Sequence, residues 1–86
     1  MAKVKLLYFA WVREKIGQGE ELVDIPADVE DVAGLIAWLR AKGPEYESAF
    51  AQPDTIRAAI DQTHVSHGTT LAGAREVAFF PPVTGG

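Results

Sequence analysis

The chain has 86 residues, a net charge of −4 and no cysteine, which allows one domain with one modest core. With no cluster of Lys or Arg, nucleic acid is an unsuitable partner, because phosphate binding needs a basic patch; a basic partner surface suits the chain better. Neither a disulfide framework nor a thiol nucleophile is available, no apolar run is long enough for a membrane span and no signal-peptide core is visible, so a cytoplasmic protein is expected.

In chain order, residues 3–9 read as a first strand, with Val4, Leu6 and Tyr8 on one face and Leu7 and Phe9 breaking the polar side, so that the far face is expected to be partly covered too. Residues 10–16 suit a short helix stopped by Gly17. The stretch Gly17-Gln18-Gly19 is glycine-rich but lacks a phosphate-loop lysine and a long following helix; it reads as a hairpin turn. Residues 20–25 form a second strand, ended by Pro26 and supported by Leu22, Val23 and Ile25.

The dominant helix follows. Asp28 is the expected N-cap, with Asp31 at the capping-box position and Glu30 and Asp31 near the positive end of the helix dipole. Val32, Leu35, Ile36 and Leu39 recur at i, i+3, i+4, i+7 and make one core-facing stripe, with Trp38 half-buried at its flank. Arg40 and Lys42 close the helix, and Gly43-Pro44 ends it. A further helical turn is expected within residues 46–52. Residues 56–61 read as a third strand with Ile56, Ala58 and Ile60 on one face. Residues 62–74 are turn-rich, with residues 64–66 as a short edge strand. Residues 76–80 make the last strand, whose alternation puts Val77 and Phe79 on one face and Ala78 and Phe80 on the other. A short sheet carrying one main helix is an α+β arrangement.

Side chains that could carry chemistry are few. His64 and His67 stand in a loop without a third ligand type nearby, and zinc wants three or four ligands, so they read as surface residues. Asp28, Glu30 and Asp31 are explained by capping, and Glu45 and Glu47 by solvated loop positions. No Ser-His-Asp set has an ordering cue.

The informative stretch is the end, Phe79-Phe80-Pro81-Pro82-Val83-Thr84-Gly85-Gly86. Pro81 and Pro82 cannot donate to a ladder and favour extended backbone. A domain of residues 1–80 is therefore expected to carry residues 81–86 as an extended, flexible tail, able to reach about 20 Å. Gly85 and Gly86 lack a Cβ, so the tip fits a channel too narrow for a side chain. A terminal carboxylate is a poor electrophile, but transfer to AMP supplies a leaving group that a sulfur nucleophile can displace. The product is a thiocarboxylate, and this chemistry needs a slim tail rather than catalytic side chains.

The segment Arg75 to Gly86, together with Phe9-Ala10-Trp11-Val12-Arg13-Glu14-Lys15-Ile16-Gly17, resembles the small, sulfur-carrying subunit family of molybdopterin synthase, over nearly the whole chain. The resemblance implies a ubiquitin-like β-grasp fold with the first and last strands parallel. It implies adenylation of Gly86 by an adenylyltransferase similar to ubiquitin E1 using ATP, and conversion of the acyl-adenylate to a thiocarboxylate by a sulfur donor system. Insertion into the large synthase subunit follows, where sulfur passes to cyclic pyranopterin monophosphate to build the dithiolene of molybdopterin. The synthase would be a heterotetramer of two small and two large subunits, with the active site on the large one, no permanently bound cofactor and no metal on this chain. Gly86 is then the carrier and Gly85 the slim neck. Pro81, Pro82, Val83 and Thr84 line the partner's channel, Phe80 faces outward as interface anchor, and Arg13 pairs with acidic residues of a partner. The chain departs from the family at Asp61, where Asn is common, and at residues 72–75, where an Asp-Gly-Asp turn is usual. A thiamin-type sulfur carrier, a ubiquitin-like modifier joined to lysines, and a binding domain with an inert tail stay open beside this reading.

Overall fold

A computed structural model describes residues 3–82. The elements are β1 (Lys3–Tyr8), α1 (Ala10–Ile16), β2 (Glu20–Asp24), α2 (Val32–Arg40), α3 (Pro44–Ala49), a 3₁₀ turn (Pro53–Thr55), β3 (Arg57–Ile60), β4 (Thr63–Val65) and β5 (Glu76–Phe80). The five strands form one mixed sheet in the order β2-β1-β5-β3-β4. β1 runs parallel to β5 (Leu6 opposite Val77, Tyr8 opposite Phe79) and antiparallel to β2, and β3 is antiparallel to both β5 and β4. This is the α+β arrangement expected, with the first and last strands paired at its centre.

One face of the sheet is dry. Val4, Leu6 and Tyr8 of β1 and Val77 and Phe79 of β5 share a single core with the α2 stripe Val32, Leu35, Ile36 and Leu39. Each fully buried aliphatic side chain there contributes about 1.5–3 kcal/mol of transfer free energy. Trp38 is partly buried against this core, as its flanking position implied. The other, open face is partly covered, as expected, with Leu7 and Phe80 half-buried and Ala59 and Ala78 buried, but Phe9 is not covered. Phe9 is 48% exposed and Leu22 63%, because no helix lies on that side and the chain turns into α1 directly after β1.

α1 spans its expected residues and ends at Gly17, which adopts φ 93°, a conformation that glycine reaches without a Cβ penalty. The Gly17-Gln18-Gly19 stretch is therefore a helix-to-strand turn and not a hairpin. β1 and β2 pair across an intervening helix, sealed by the Tyr8 N–H donating to Gly19 O at 2.9 Å.

Three other local readings are corrected. The N-cap of α2 is Asp31, whose Oδ1 accepts from the Gly34 N–H at 2.7 Å, and not Asp28, which is exposed in a turn closed by Val29 N–H to Pro26 O. Sequence alone could not decide between two aspartates three apart. The decision comes from the loop around residues 67–71: the Val32 N–H donates to Thr69 O and the Ala33 N–H to His67 O, while Glu30 O accepts from the Leu71 N–H. That strand-like contact holds residues 30–31 extended, so the helix cannot begin earlier. Gly43-Pro44 opens α3 as well as following α2, with Pro44 at the first helical position, where its missing N–H costs nothing. Glu45 and Glu47 consequently sit on a helix, and Glu47 meets Arg40 of α2 at 3.3 Å.

Asp31→Ala is expected to lower stability by about 1 kcal/mol, the usual worth of an N-cap, and Asp28→Ala by less than half of that. Urea midpoints of the two variants measure the difference.

Candidate functional site: the root of the tail

β5 is the last element in chain order and the central strand of the sheet. It ends between β1 and β3, where the Phe9 N–H donates to Phe79 O at 3.1 Å and Arg57 stands opposite Phe80. Alternation then splits the two adjacent phenylalanines. Phe79 points inward, fully buried, with its ring 6.3 Å from Tyr8 and edge-on to Phe50 at 5.2 Å. Phe80 points to the open face, as expected, and is half-buried there. Its cover is the His64 ring, 5.0 Å away between centroids. Pro81 and Pro82 follow without strand pairing and are half-buried. The expectations for Val83, Thr84, Gly85 and Gly86 lie outside the described residues.

Arg13 is exposed on α1 and enters no ion pair among the described residues. Its guanidinium lies across Gly19, where a Cβ would come within 3.2 Å of Nε. α1 starts right after β1, so Arg13 is carried at the same end of the sheet as the tail root. Exposed Phe9, His64 and Arg57 stand there too, and spacing along the chain gave none of them a place at the tail root. The signal that could have found Arg57 and His64 is strand alternation combined with the order of strands, and that order is not local information.

The β1 side of the root is held by a polar cluster. Tyr8 Oη donates to Glu21 Oε1 at 2.7 Å and Tyr46 Oη to the same oxygen at 2.8 Å. Gln18 Nε2 donates to Tyr46 Oη at 3.3 Å. Lys42 Nζ stands 3.6 Å from Glu21 Oε2 and 5.1 Å from the Tyr46 ring centroid. Tyr8 is thus gripped at its hydroxyl by Glu21 of β2, which Tyr46 of α3 also holds, and stacked at its ring on Phe79, which fixes the end of β1 against the strand that launches the tail. Burial, and then the hydrogen bond to the Glu21 carboxylate, push the Tyr8 hydroxyl well above the usual tyrosine range. The same causes in the same order push Tyr46 up to about 12.

The β3 side is held by Asp61. Asp61 and Gln62 both have positive φ, 48° and 73°, the signature of a two-residue hairpin turn joining β3 to β4. Asp and Asn tolerate that region better than other side chains do. The Asp61 Oδ1 accepts from the backbone N–H groups of Arg75 (3.1 Å) and Glu76 (3.0 Å), so it also fixes the start of β5. An Asn would offer an acceptor oxygen in the same place, which explains why the departure at this position leaves the turn intact. At the other departure, Gly73 carries the positive φ of 77° and the Ala74 N–H closes the turn on Leu71 O.

Among the described residues no cluster of three or more His, Cys, Asp or Glu could hold a metal, and no helix is long and apolar enough to cross a membrane. His67 is occupied internally, its Nε2 lying 2.7 Å from Ile56 O.

A central parallel pair of first and last strands, flanked by antiparallel neighbours and crossed by one main helix, defines a ubiquitin-like β-grasp domain. Residues 6–86 match the ThiS family model, and the chain belongs to that family. It is 39% identical over 83 residues to the molybdopterin synthase sulfur carrier subunit of Escherichia coli (strain K12), covering 96% of this chain and 99% of the relative. It is 36% identical over 89 residues to the protein of the same name from Mycosarcoma maydis, covering 96% and 92%. Among solved structures, small archaeal modifier protein 1 of Haloferax volcanii superposes with a TM-score of 0.75 at 27% identity, covering 96% of this chain and all of that one.

Tyr46 holds its proton more tightly folded than unfolded, so its contribution to stability is fully present below pH 10 and is lost as pH rises through about 12. Tyr46→Phe is expected to make the alkaline loss of stability shallower over that window. Urea midpoints of both proteins measured across the window check this; parallel curves would count against the Glu21 cluster as its origin.

Proposed function

We propose that this chain is the sulfur carrier subunit of a molybdopterin synthase, with Gly86 as the atom-carrying end. What supports the reading most is the near-complete match to relatives bearing that name, together with a tail, Pro81-Pro82-Val83-Thr84-Gly85-Gly86, that follows the central strand directly. The carrier needs a rigid body for recognition and a slim end for chemistry. The β-grasp domain of residues 1–80 supplies the body, and residues 81–86 the extended, flexible end.

The Gly86 carboxylate attacks the α-phosphorus of ATP on an E1-like adenylyltransferase and displaces pyrophosphate. A sulfur nucleophile from the donor system then attacks the acyl-adenylate carbonyl and expels AMP, leaving the thiocarboxylate. The tail enters the large subunit, where the thiocarboxylate sulfur attacks a carbon of cyclic pyranopterin monophosphate and displaces an oxygen substituent; water then cleaves the acyl–sulfur bond and restores the carboxylate, so that two carriers supply the two sulfurs of one dithiolene. ATP is a substrate of the activating enzyme and not a resident group of this chain. Pro81, Pro82, Val83, Thr84 and Gly85 line the channel, Phe80 anchors the body beside it, and Arg13 faces acidic residues of a partner. The assembly is a cytoplasmic heterotetramer of two small and two large subunits.

One observation favours a second reading. The fold is similar to small archaeal modifier protein 1, so a modifier joined to lysines through Gly86 would use the same adenylate with an amine in place of sulfur as nucleophile.

Full chain, incubated with its activating enzyme, ATP and a sulfur donor, is expected to gain the mass difference between sulfur and oxygen at Gly86. Deletion of Gly85 and Gly86 is expected to abolish the gain and the sulfur transfer without changing the thermal midpoint. No gain with an active enzyme, and isopeptide adducts on cellular lysines instead, would transfer the assignment to the modifier. Phe80→Ala is expected to weaken binding to the large subunit by about 1–3 kcal/mol, read by calorimetry.

A further inference from the structure

Charge on the open face of the sheet is sorted by strand. β2, at one edge, carries Glu20 and Asp24, the latter closed by Lys3 at 3.2 Å. On the other side stand Arg57, His64 and Phe80, over a floor of Ala59 and Ala78, which face one another across β3 and β5. Arg57 is opposite Phe80, the last registered pair before the tail, which sets their Cβ atoms about 5 Å apart. It is exposed and in no ion pair among the described residues.

The acids that could answer Arg57 are used or distant. Asp61 is engaged by the N–H groups of Arg75 and Glu76. Glu76 heads β5, four residues before Phe80 and about 13 Å back along that strand, and Glu20 lies three strand spacings across the sheet, about 14 Å. Asp54 belongs to the turn before β3 and shares a small cavity with Arg40 and His67 beside α2. A chain of net charge −4 thus presents a cationic, aromatic corner at the root of its tail.

Any partner that seats Phe80 in an apolar socket also covers Arg57. A guanidinium taken out of water without an acceptor is costly, whereas a carboxylate can meet it with two parallel hydrogen bonds. We propose that Arg57, with His64 beside it, is a specificity determinant of docking: the tail-accepting subunit presents an apolar socket for Phe80 whose rim carries carboxylates facing Arg57. The long-range charge of the chain and the charge of this corner are opposite in sign, so the corner also orients the encounter. This rests on the carrier reading above.

The test titrates full-length chain with the purified large synthase subunit of the same organism, at low and at high salt. Arg57→Glu is expected to lose about tenfold or more in affinity at low salt, with the loss shrinking as salt rises, while Arg57→Lys stays near wild type. Both variants keep the wild-type thermal midpoint, since Arg57 is exposed. Wild-type affinity in Arg57→Glu, alongside weakened binding by Phe80→Ala, overturns the carboxylate rim and leaves the carrier reading standing. No binding by the wild-type chain removes the carrier reading, and this proposal with it.

Discussion

Everything functional about this protein depends on the parallel pairing of β1 with β5. A parallel pair brings like ends together. The end of β1, from which α1 departs, therefore lies beside the end of β5, from which the tail departs, and the Phe9 N–H to Phe79 O bond closes that junction. Antiparallel β2 and β3 then flank the pair, so the tail leaves from the middle of the sheet with a wall of structure on both sides. Had the tail followed an edge strand, its root would have moved with the fraying of that edge.

The two sides of that wall are held by different chemistry. On the β1 side, Glu21 gathers two tyrosine hydroxyls and a lysine, and the Tyr8 ring passes the constraint to Phe79 by stacking. On the β3 side, a single carboxylate, Asp61, combines a tight turn with two backbone hydrogen bonds at the head of β5. In both devices one carboxylate oxygen accepts two hydrogen bonds, and such a directional network specifies one register where an apolar contact would tolerate several. Register matters here because a slip of one residue would exchange Phe79 with Phe80, burying the half-exposed ring and exposing the core one.

The Phe79-Phe80 pair also separates the two faces of the sheet. Helices cover only the face that carries Val77 and Phe79. The other face keeps Leu22, Phe9 and a half-covered Phe80 beside charged neighbours. The exposed side chains stand around the segment from which the tail departs.

The sequence by itself determined the alternation of each strand, the α2 stripe, the stop at Gly17, and a Pro-Pro-Val-Thr-Gly-Gly end suited to carboxyl activation. Each is set by the period of side-chain direction or by the backbone limits of Gly and Pro, which act within a few residues. Only the tertiary structure decided that Asp31 and not Asp28 caps α2, that Gly43-Pro44 starts a helix, that Glu21 unites Tyr8 with Tyr46, and that Arg57 and His64 join Phe80 at the tail root. Apart from the start of α3, those outcomes rest on partners 13 to 41 residues apart. Spacing along the chain cannot encode them, because strand order and loop closure, not local geometry, choose which distant groups meet.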